Sequence, residues 1–281
     1  MTGPPVLIVH APGTNRDTES AVAVEAAGGA PRIATVDELV DRPGMFSHYG
    51  AVVLPGGFSY GDALGAGGRL ALELRARMGD ELAAAAGSGR PILGICNGFQ
   101  ALVKSGLLSA SGDRSGSSSP SASGRSGLLS APGDRSFTLA ANASGRFECR
   151  WVTLSVEPDC RSSWLEPLQG SVIRCPVAHG EGRLAARDPR TVLALEQAGR
   201  IAFRYLASGS AGGPETGPAA GTYPANPNGS DHDIAGLCDA TGAVVGLMPH
   251  PEDHIVDWQR PSGPPGARGS ALFEALVAAA R

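Results

Sequence analysis

The sequence predicts an α/β protein built on a doubly wound, mostly parallel sheet with added antiparallel strands. Three features predict it. Short, fully apolar runs alternate with Ala-rich amphipathic stretches through the first hundred residues, the pattern of strands covered by helices on both faces. Glycine turns follow several of those runs. The second half carries strand-like runs in closer succession, suited either to extending the sheet or to a smaller antiparallel layer.

Val6–His10 reads as a buried strand, and Asp17–Ala27 as a helix stopped by Gly28-Gly29. Arg32–Val36 and Ala51–Leu54 are the next strands, the second running into Pro55-Gly56-Gly57. Asp62–Ala86 is helical by composition, with glycines near its start. Pro91–Ile95 is a strand, and Asn97–Lys104 opens as a helix directly after it. Further strands are expected at Cys149–Val156, Val172–Cys175, Thr191–Leu195, Ile201–Tyr205, Ile234–Cys238 and Ala243–Met248, and a last helix near Ala271–Ala280.

The whole chain, 1–281, reads as a single domain with two loose insertions. Residues 109–135 are dominated by Ser and Gly, too poor in apolar surface to order, and disorder is expected there. A tandem duplication lies in that region: SGLLSASGDRS (Ser105–Ser115) returns as SGLLSAPGDRS (Ser126–Ser136). Two copies are too few to stack as a repeat fold, so a duplication in a tolerant loop is the simpler reading. Residues 207–225, rich in Gly, Ala and Pro, form the second flexible loop.

Composition narrows the function. The 281 residues are 42% hydrophobic, with 23 basic and 27 acidic side chains and a net charge of −4. No basic excess is available to neutralise phosphates, which argues against a nucleic-acid binder. Lys104, the single lysine, follows Val103, so no Gly-Lys-Ser/Thr phosphate loop exists. The start lacks a basic leader and no apolar run approaches the length of a membrane span. Five widely spaced cysteines without a C-x-x-C pair fit neither a disulfide framework nor a zinc site, and a reducing cytoplasm is expected.

The chemistry centres on Gly94-Ile95-Cys96-Asn97-Gly98, set between a strand and a helix. A nucleophile on such a turn is pushed out at the carboxyl edge of the sheet, and the helix N-terminus behind it favours a thiolate. An isolated cysteine is more often a buried structural residue, but the strand–turn–helix context selects the catalytic reading. Of six histidines, His250 stands in Pro249-His250-Pro251-Glu252 after a strand. Residues two apart in extended chain share a face, so Glu252 can orient His250 toward Cys96. His250 and His254 also have helical metal-ligand spacing, although Pro251 opposes a helix there and no metal site is expected. Asn97, at the helix start, and the Pro55-Gly56-Gly57 turn can offer backbone N–H groups to an oxyanion. His179 and Glu181 in AHGEGR could form a second acid–base pair or, more simply, part of the site's wall or of a partner interface, while His10 and His48 read as structural.

With these residues in place the chain resembles the class I glutamine amidotransferases, whose triad runs Cys–His–Glu in this order. Within them it resembles the glutaminase subunits of phosphoribosylformylglycinamidine synthase. The stretches that carry the likeness are APGTNRDTE (Ala11–Glu19), PGGFSYGD (Pro55–Asp62), GICNGFQALVKSGLL (Gly94–Leu108), SGRFECRW (Ser144–Trp151), AHGEGR (Ala178–Arg183), NPNGS (Asn226–Ser230) and GLMPHPE (Gly246–Glu252). The resemblance implies a flavodoxin-like amidotransferase fold, with Cys96 as nucleophile, His250 as acid and base, and Glu252 as its orienter. It further implies Gly57 and Asn97 as the oxyanion hole, and Phe58 and Gln100 as residues holding the substrate glutamine. NPNGS would lie near the active site or a partner surface. Arg16, where the family usually has Cys, Asp253, where Arg is common, and the Gly-rich 63–67 segment depart from the pattern.

The implied activity is hydrolysis of glutamine to glutamate and ammonia through a cysteine thioester. The ammonia would go to a large synthetase subunit, in a complex that can include a further small subunit. That synthetase converts formylglycinamide ribonucleotide to formylglycinamidine ribonucleotide in purine biosynthesis. ATP and magnesium would belong to the synthetase, and this chain would carry no cofactor. The competing readings are another class I amidotransferase or a γ-glutamyl hydrolase on the same fold, and, more distantly, a non-enzymatic regulatory scaffold.

Overall fold

The structure, a computed structural model, describes residues 3–110, 136–207, 217–260 and 266–281. The segment expected to be disordered, 109–135, lies outside the described residues apart from Ser109 and Ala110, as do residues 208–216 of the second loop.

The first strand, β1 (Pro5–His10), is buried from Val6 to Val9 and is followed by helix α1 (Asp17–Ala26), with acidic Asp17 and Glu19 in its first turn. β2 (Ala30–Thr35) stops one residue before the expected end. The Thr35 hydroxyl accepts a hydrogen bond from the Glu38 amide and so starts the short helix α2 (Val36–Asp41). β3 (Ala51–Leu54) follows. The helix expected over Asp62–Ala86 starts later and is split: α3 (Gly68–Arg77) and α4 (Gly79–Gly87) flank Met78. Gly61, Gly65 and Gly67, all at positive φ, hold the preceding segment in turns. β4 (Ile92–Ile95) and α5 (Asn97–Ser105) flank Cys96.

The second half contains β5 (Phe137–Ala141), β6 (Glu148–Val156), β7 (Val172–His179), β8 (Glu181–Ala186), helix α6 (Pro189–Gln197), β9 (Ile201–Ala207), β10 (Gly217–Pro218), β11 (Ile234–Cys238), β12 (Val244–Leu247) and α7 (Ser270–Ala279). The strand expected at Thr191–Leu195 is instead the middle of α6. Asp188 caps that helix by accepting from the Arg190 amide, Pro189 occupies its first turn, and Val192 and Leu195, three apart, are its buried residues. β7 runs past the expected Cys175 to His179, and β5 and β8 were not expected as strands. Part of the second loop is also regular, since β10 pairs with the end of β9.

The large sheet has the order β2-β1-β3-β4-β12-β11-β9-β6-β7, with β10 beside β9. From β2 to β12 all neighbours are parallel, and from β12 onward all are antiparallel. β5 and β8 make a separate two-stranded sheet. Register decides where the chemistry sits. Leu54 pairs with Gly94, and Ile95 with Leu247, so three strands end level with one another. The residues that leave them, Pro55-Gly56-Gly57, Cys96 and Met248-Pro249-His250, therefore emerge at one carboxyl edge, where ligands bind in open α/β sheets. No helix among the described residues is long and apolar enough to cross a membrane.

Candidate active site

Cys96 sits between β4 and α5 with φ 48° and ψ −104°, a conformation that L-residues rarely adopt. Its amide donates to the Leu247 carbonyl at 2.8 Å, tying the turn to β12. The flanking glycines are required by close approach. A side chain at Gly98 would run into the Leu54 carbonyl at the end of β3, and one at Gly94 into the Leu102 side chain. The turn is thus tight because the helix that follows is pressed onto the neighbouring strand.

His250 and Glu252 are buried, and their Nδ1–Oε1 distance is 2.7 Å. Gly56 faces them: a methyl group on it would lie 2.6 Å from the His250 ring and 3.4 Å from the Cys96 Cβ. The glycine turn, Cys96 and the His250 imidazole therefore stack on one another. Burial opposes the charged imidazolium, but Glu252 and Cys96 outweigh it, and the His250 pKa stands well above its ordinary value. Nδ1 is occupied by the carboxylate, so Nε2 is the nitrogen left for proton transfer with Cys96.

Beside Cys96, His250 and Glu252 lies a cavity of about 350 Å³. Six of the seven site residues read from the sequence line it: Gly57, Phe58, Cys96, Asn97, Gln100 and His250. Glu252 stands behind His250. Gly57 has φ 109° and packs on Asn15, which a side chain there would strike. Phe58 is half-exposed at the rim. The Asn97 side chain is fixed by Asp62, which accepts from Nδ2 at 2.8 Å, and by the Ser59 hydroxyl. Gln100 accepts from Asn97 at 3.2 Å and donates to the Glu181 carbonyl. It thereby joins α5 to the far wall, the turn between β7 and β8.

That wall contains His179, Gly180 and Glu181. His179 makes a 3.1 Å ring hydrogen bond to Asn142, and Gly182 lies against its face. It belongs to the wall rather than to a second acid–base pair. The NPNGS segment braces the wall from outside the cavity: Asn228 donates to the Gly182 carbonyl at 2.8 Å, and Ser230 accepts from the Leu184 amide at 3.0 Å. His254 does not join His250 as a metal ligand. Its Nδ1 bonds the Arg174 carbonyl and its ring meets Trp151 edge-on. His250, Glu252 and Asp253 do offer atoms within 4.8 Å of one another, but the closest pair is already the His250–Glu252 hydrogen bond, and Arg16 faces Asp253 at 3.6 Å. Sequence reading missed Arg16, Asp62 and Phe147 as cavity residues. Their motifs are visible in the chain, but nothing local to them shows which way they face.

The profile of the CobB/CobQ-like glutamine amidotransferase domain matches residues 3–278. The chain belongs to this family. Among its relatives is a Treponema denticola protein named phosphoribosylformylglycinamidine synthase subunit PurQ, 42% identical over 259 residues, 92% of this chain and 91% of that one. A protein of the same name from Frankia casuarinae is 38% identical over 271 residues, 96% of this chain and 91% of its own length. A solved structure described as PurLQS from Thermotoga maritima superposes with a TM-score of 0.67 at 30% identity, covering 98% of each chain.

The amidotransferase wall also has a pH signature. Burial, reinforced by the neighbouring His250, holds the His179 pKa down from 6.5 to about 4. The unfolded chain therefore takes up a proton between those values that the folded chain refuses, and stability falls as pH drops through that window. The full effect is about 3 kcal/mol. In denaturant titrations at a series of pH values, His179→Gln is expected to lose less stability than the wild type between pH 6.5 and 4. Parallel curves for the two proteins would refute the assignment.

Proposed function

We infer that the chain is the glutaminase subunit of phosphoribosylformylglycinamidine synthase. The observation that carries this is Cys96 at a strand–helix elbow beside the buried His250–Glu252 pair, in a chain matched nearly end to end by PurQ proteins. In the reaction, the Cys96 thiolate attacks the side-chain amide carbon of glutamine. The Gly57 and Asn97 amides hold the oxyanion. His250 delivers its proton to the departing nitrogen, the C–N bond breaks, and ammonia leaves a γ-glutamyl thioester. Water then attacks that carbon, His250 takes its proton, and the C–S bond breaks to give glutamate and the free thiolate. Glu252 holds the imidazole in the required orientation throughout. Gln100 and Phe58 flank the substrate.

The ammonia passes to the synthetase subunit, which converts formylglycinamide ribonucleotide to formylglycinamidine ribonucleotide; the likeness to PurLQS supports that partner and a further small subunit. ATP and magnesium act on the synthetase. A reducing, cytoplasmic setting fits a nucleophile that must stay a thiol. A regulatory scaffold would have no need of a cysteine on a strand–helix elbow beside a buried, hydrogen-bonded His250–Glu252 pair.

The test is to mix the assembled complex with L-glutamine, quench in acid and map the adduct by mass spectrometry. A γ-glutamyl group on the Cys96 peptide is the expected result. Glutamate release with the adduct on exposed Cys149, or with none on Cys96, would overturn the mechanism.

A further inference from the structure

We propose that Arg16 is the residue that receives the α-carboxylate of the substrate glutamine. The proposal rests on the glutaminase reading above and goes beyond the roles given to the triad, the oxyanion hole, Phe58 and Gln100. Once the side-chain amide is seated at Cys96, the two methylene groups of glutamine place its α-carboxylate and α-ammonium elsewhere in the same cavity, whose 350 Å³ has room for a whole amino acid. Both charged groups are better held there by partners of opposite charge.

Among the described residues lining the cavity, Arg16 carries the one permanently positive side chain. His179 is held neutral by burial, and His250 is committed to Glu252. Lys104 does not line the cavity; its ammonium donates to the Ala66 carbonyl at 2.6 Å and faces Glu181 at 3.8 Å. The Arg16 guanidinium has capacity to spare. Nη1 donates to Glu19 at 3.0 Å, whereas Nη2 stands 3.6 Å from the Asp253 carboxylate, beyond good hydrogen-bond reach. A guanidinium offers five donors in a planar fork suited to a carboxylate. Its side chain is 36% exposed, so it is accessible to a ligand. Two carboxylates, Asp62 and Glu181, line the same cavity and suit the ammonium end. The cavity thus has the polarity of a zwitterion.

The experiment measures steady-state hydrolysis by the assembled complex of two substrates, L-glutamine and its α-carboxamide, L-glutaminamide. Arg16→Ala is expected to raise KM for glutamine about ten- to a hundredfold, the size of a lost hydrogen bond to a charged group, with kcat nearly unchanged. KM for the carboxamide should stay where it was, which also shows that the variant is folded. Arg16→Lys should recover part of the loss. An unchanged KM for glutamine, or an equal rise for both substrates, overturns the proposal. If the wild-type complex releases neither glutamate from L-glutamine nor isoglutamine from L-glutaminamide, the glutaminase reading itself falls.

Discussion

Replacing Cys96 by alanine or by glycine is expected to reduce glutamate release by about four orders of magnitude or more in both cases, the scale seen when a nucleophile is removed. The two variants should nevertheless differ in stability, and in an unusual direction. At most positions glycine is less stable than alanine by about 0.5–1 kcal/mol, because it has more freedom to lose on folding. At φ 48° and ψ −104° the order should reverse. Alanine keeps the strain that a side chain suffers there, on the order of 1–3 kcal/mol, and glycine does not. Cys96→Gly should therefore be the more stable of the two by about 1 kcal/mol. Paired denaturation curves check this. Alanine being the more stable would mean that the elbow is unstrained and that its geometry is set by α5 alone.

The same strain explains why the nucleophile is legible in the amino-acid sequence. A turn this tight needs small neighbours, so Gly94 and Gly98 bracket the cysteine in a spacing that the close packing of α5 on β3 and β4 imposes. His250 and Glu252 are legible as a pair from their spacing, although a short 3-10 turn, Pro251–Asp253, and not the extended chain expected from the sequence, brings them together. The parallel half of the sheet is readable from apolar runs too short for helices. Thr191–Leu195 is not: a five-residue run of mixed β-branched and aliphatic residues suits either state, and Asp188-Pro189, just upstream, decides for a helix. β5 and β8 are unreadable for another reason. Their partnership joins residues forty to forty-nine apart in the chain, and no local pattern announces a partner that far away. The wall of the cavity, with His179 and Glu181, hangs on that pairing. Arg16 and Asp62 likewise become cavity residues only when β1, β3 and β4 are laid side by side.

Glu252→Gln isolates the charge of the orienting residue from its shape. Glutamine is nearly the same size, and its amide oxygen can still accept from Nδ1, so the 2.7 Å contact has a neutral equivalent. What disappears is the negative charge. Burial lowers the His250 pKa, and Glu252 is the first of the groups that raise it. Without that charge the imidazolium should give up its proton at lower pH. The acid that must protonate the departing ammonia is then lost sooner as pH rises. The expected result is a fall in kcat of about 10²–10⁴ at neutral pH, with the alkaline limb of the kcat/KM profile moved to lower pH. A fall in rate with that limb unmoved would reduce Glu252 to a steric prop. A rate within a few-fold of wild type would shift the role to Asp253, whose carboxylate lies in the same cluster and is raised in pKa by burial and by Glu252 itself. Asp253 faces the Arg16 guanidinium at 3.6 Å, however, and removing that arginine would then slow kcat as well as raise KM. The kcat of the Arg16 variants and the pH profile of the Glu252 variant therefore test one arrangement from two sides: a carboxylate that acts on the imidazole, and a cation left for the substrate.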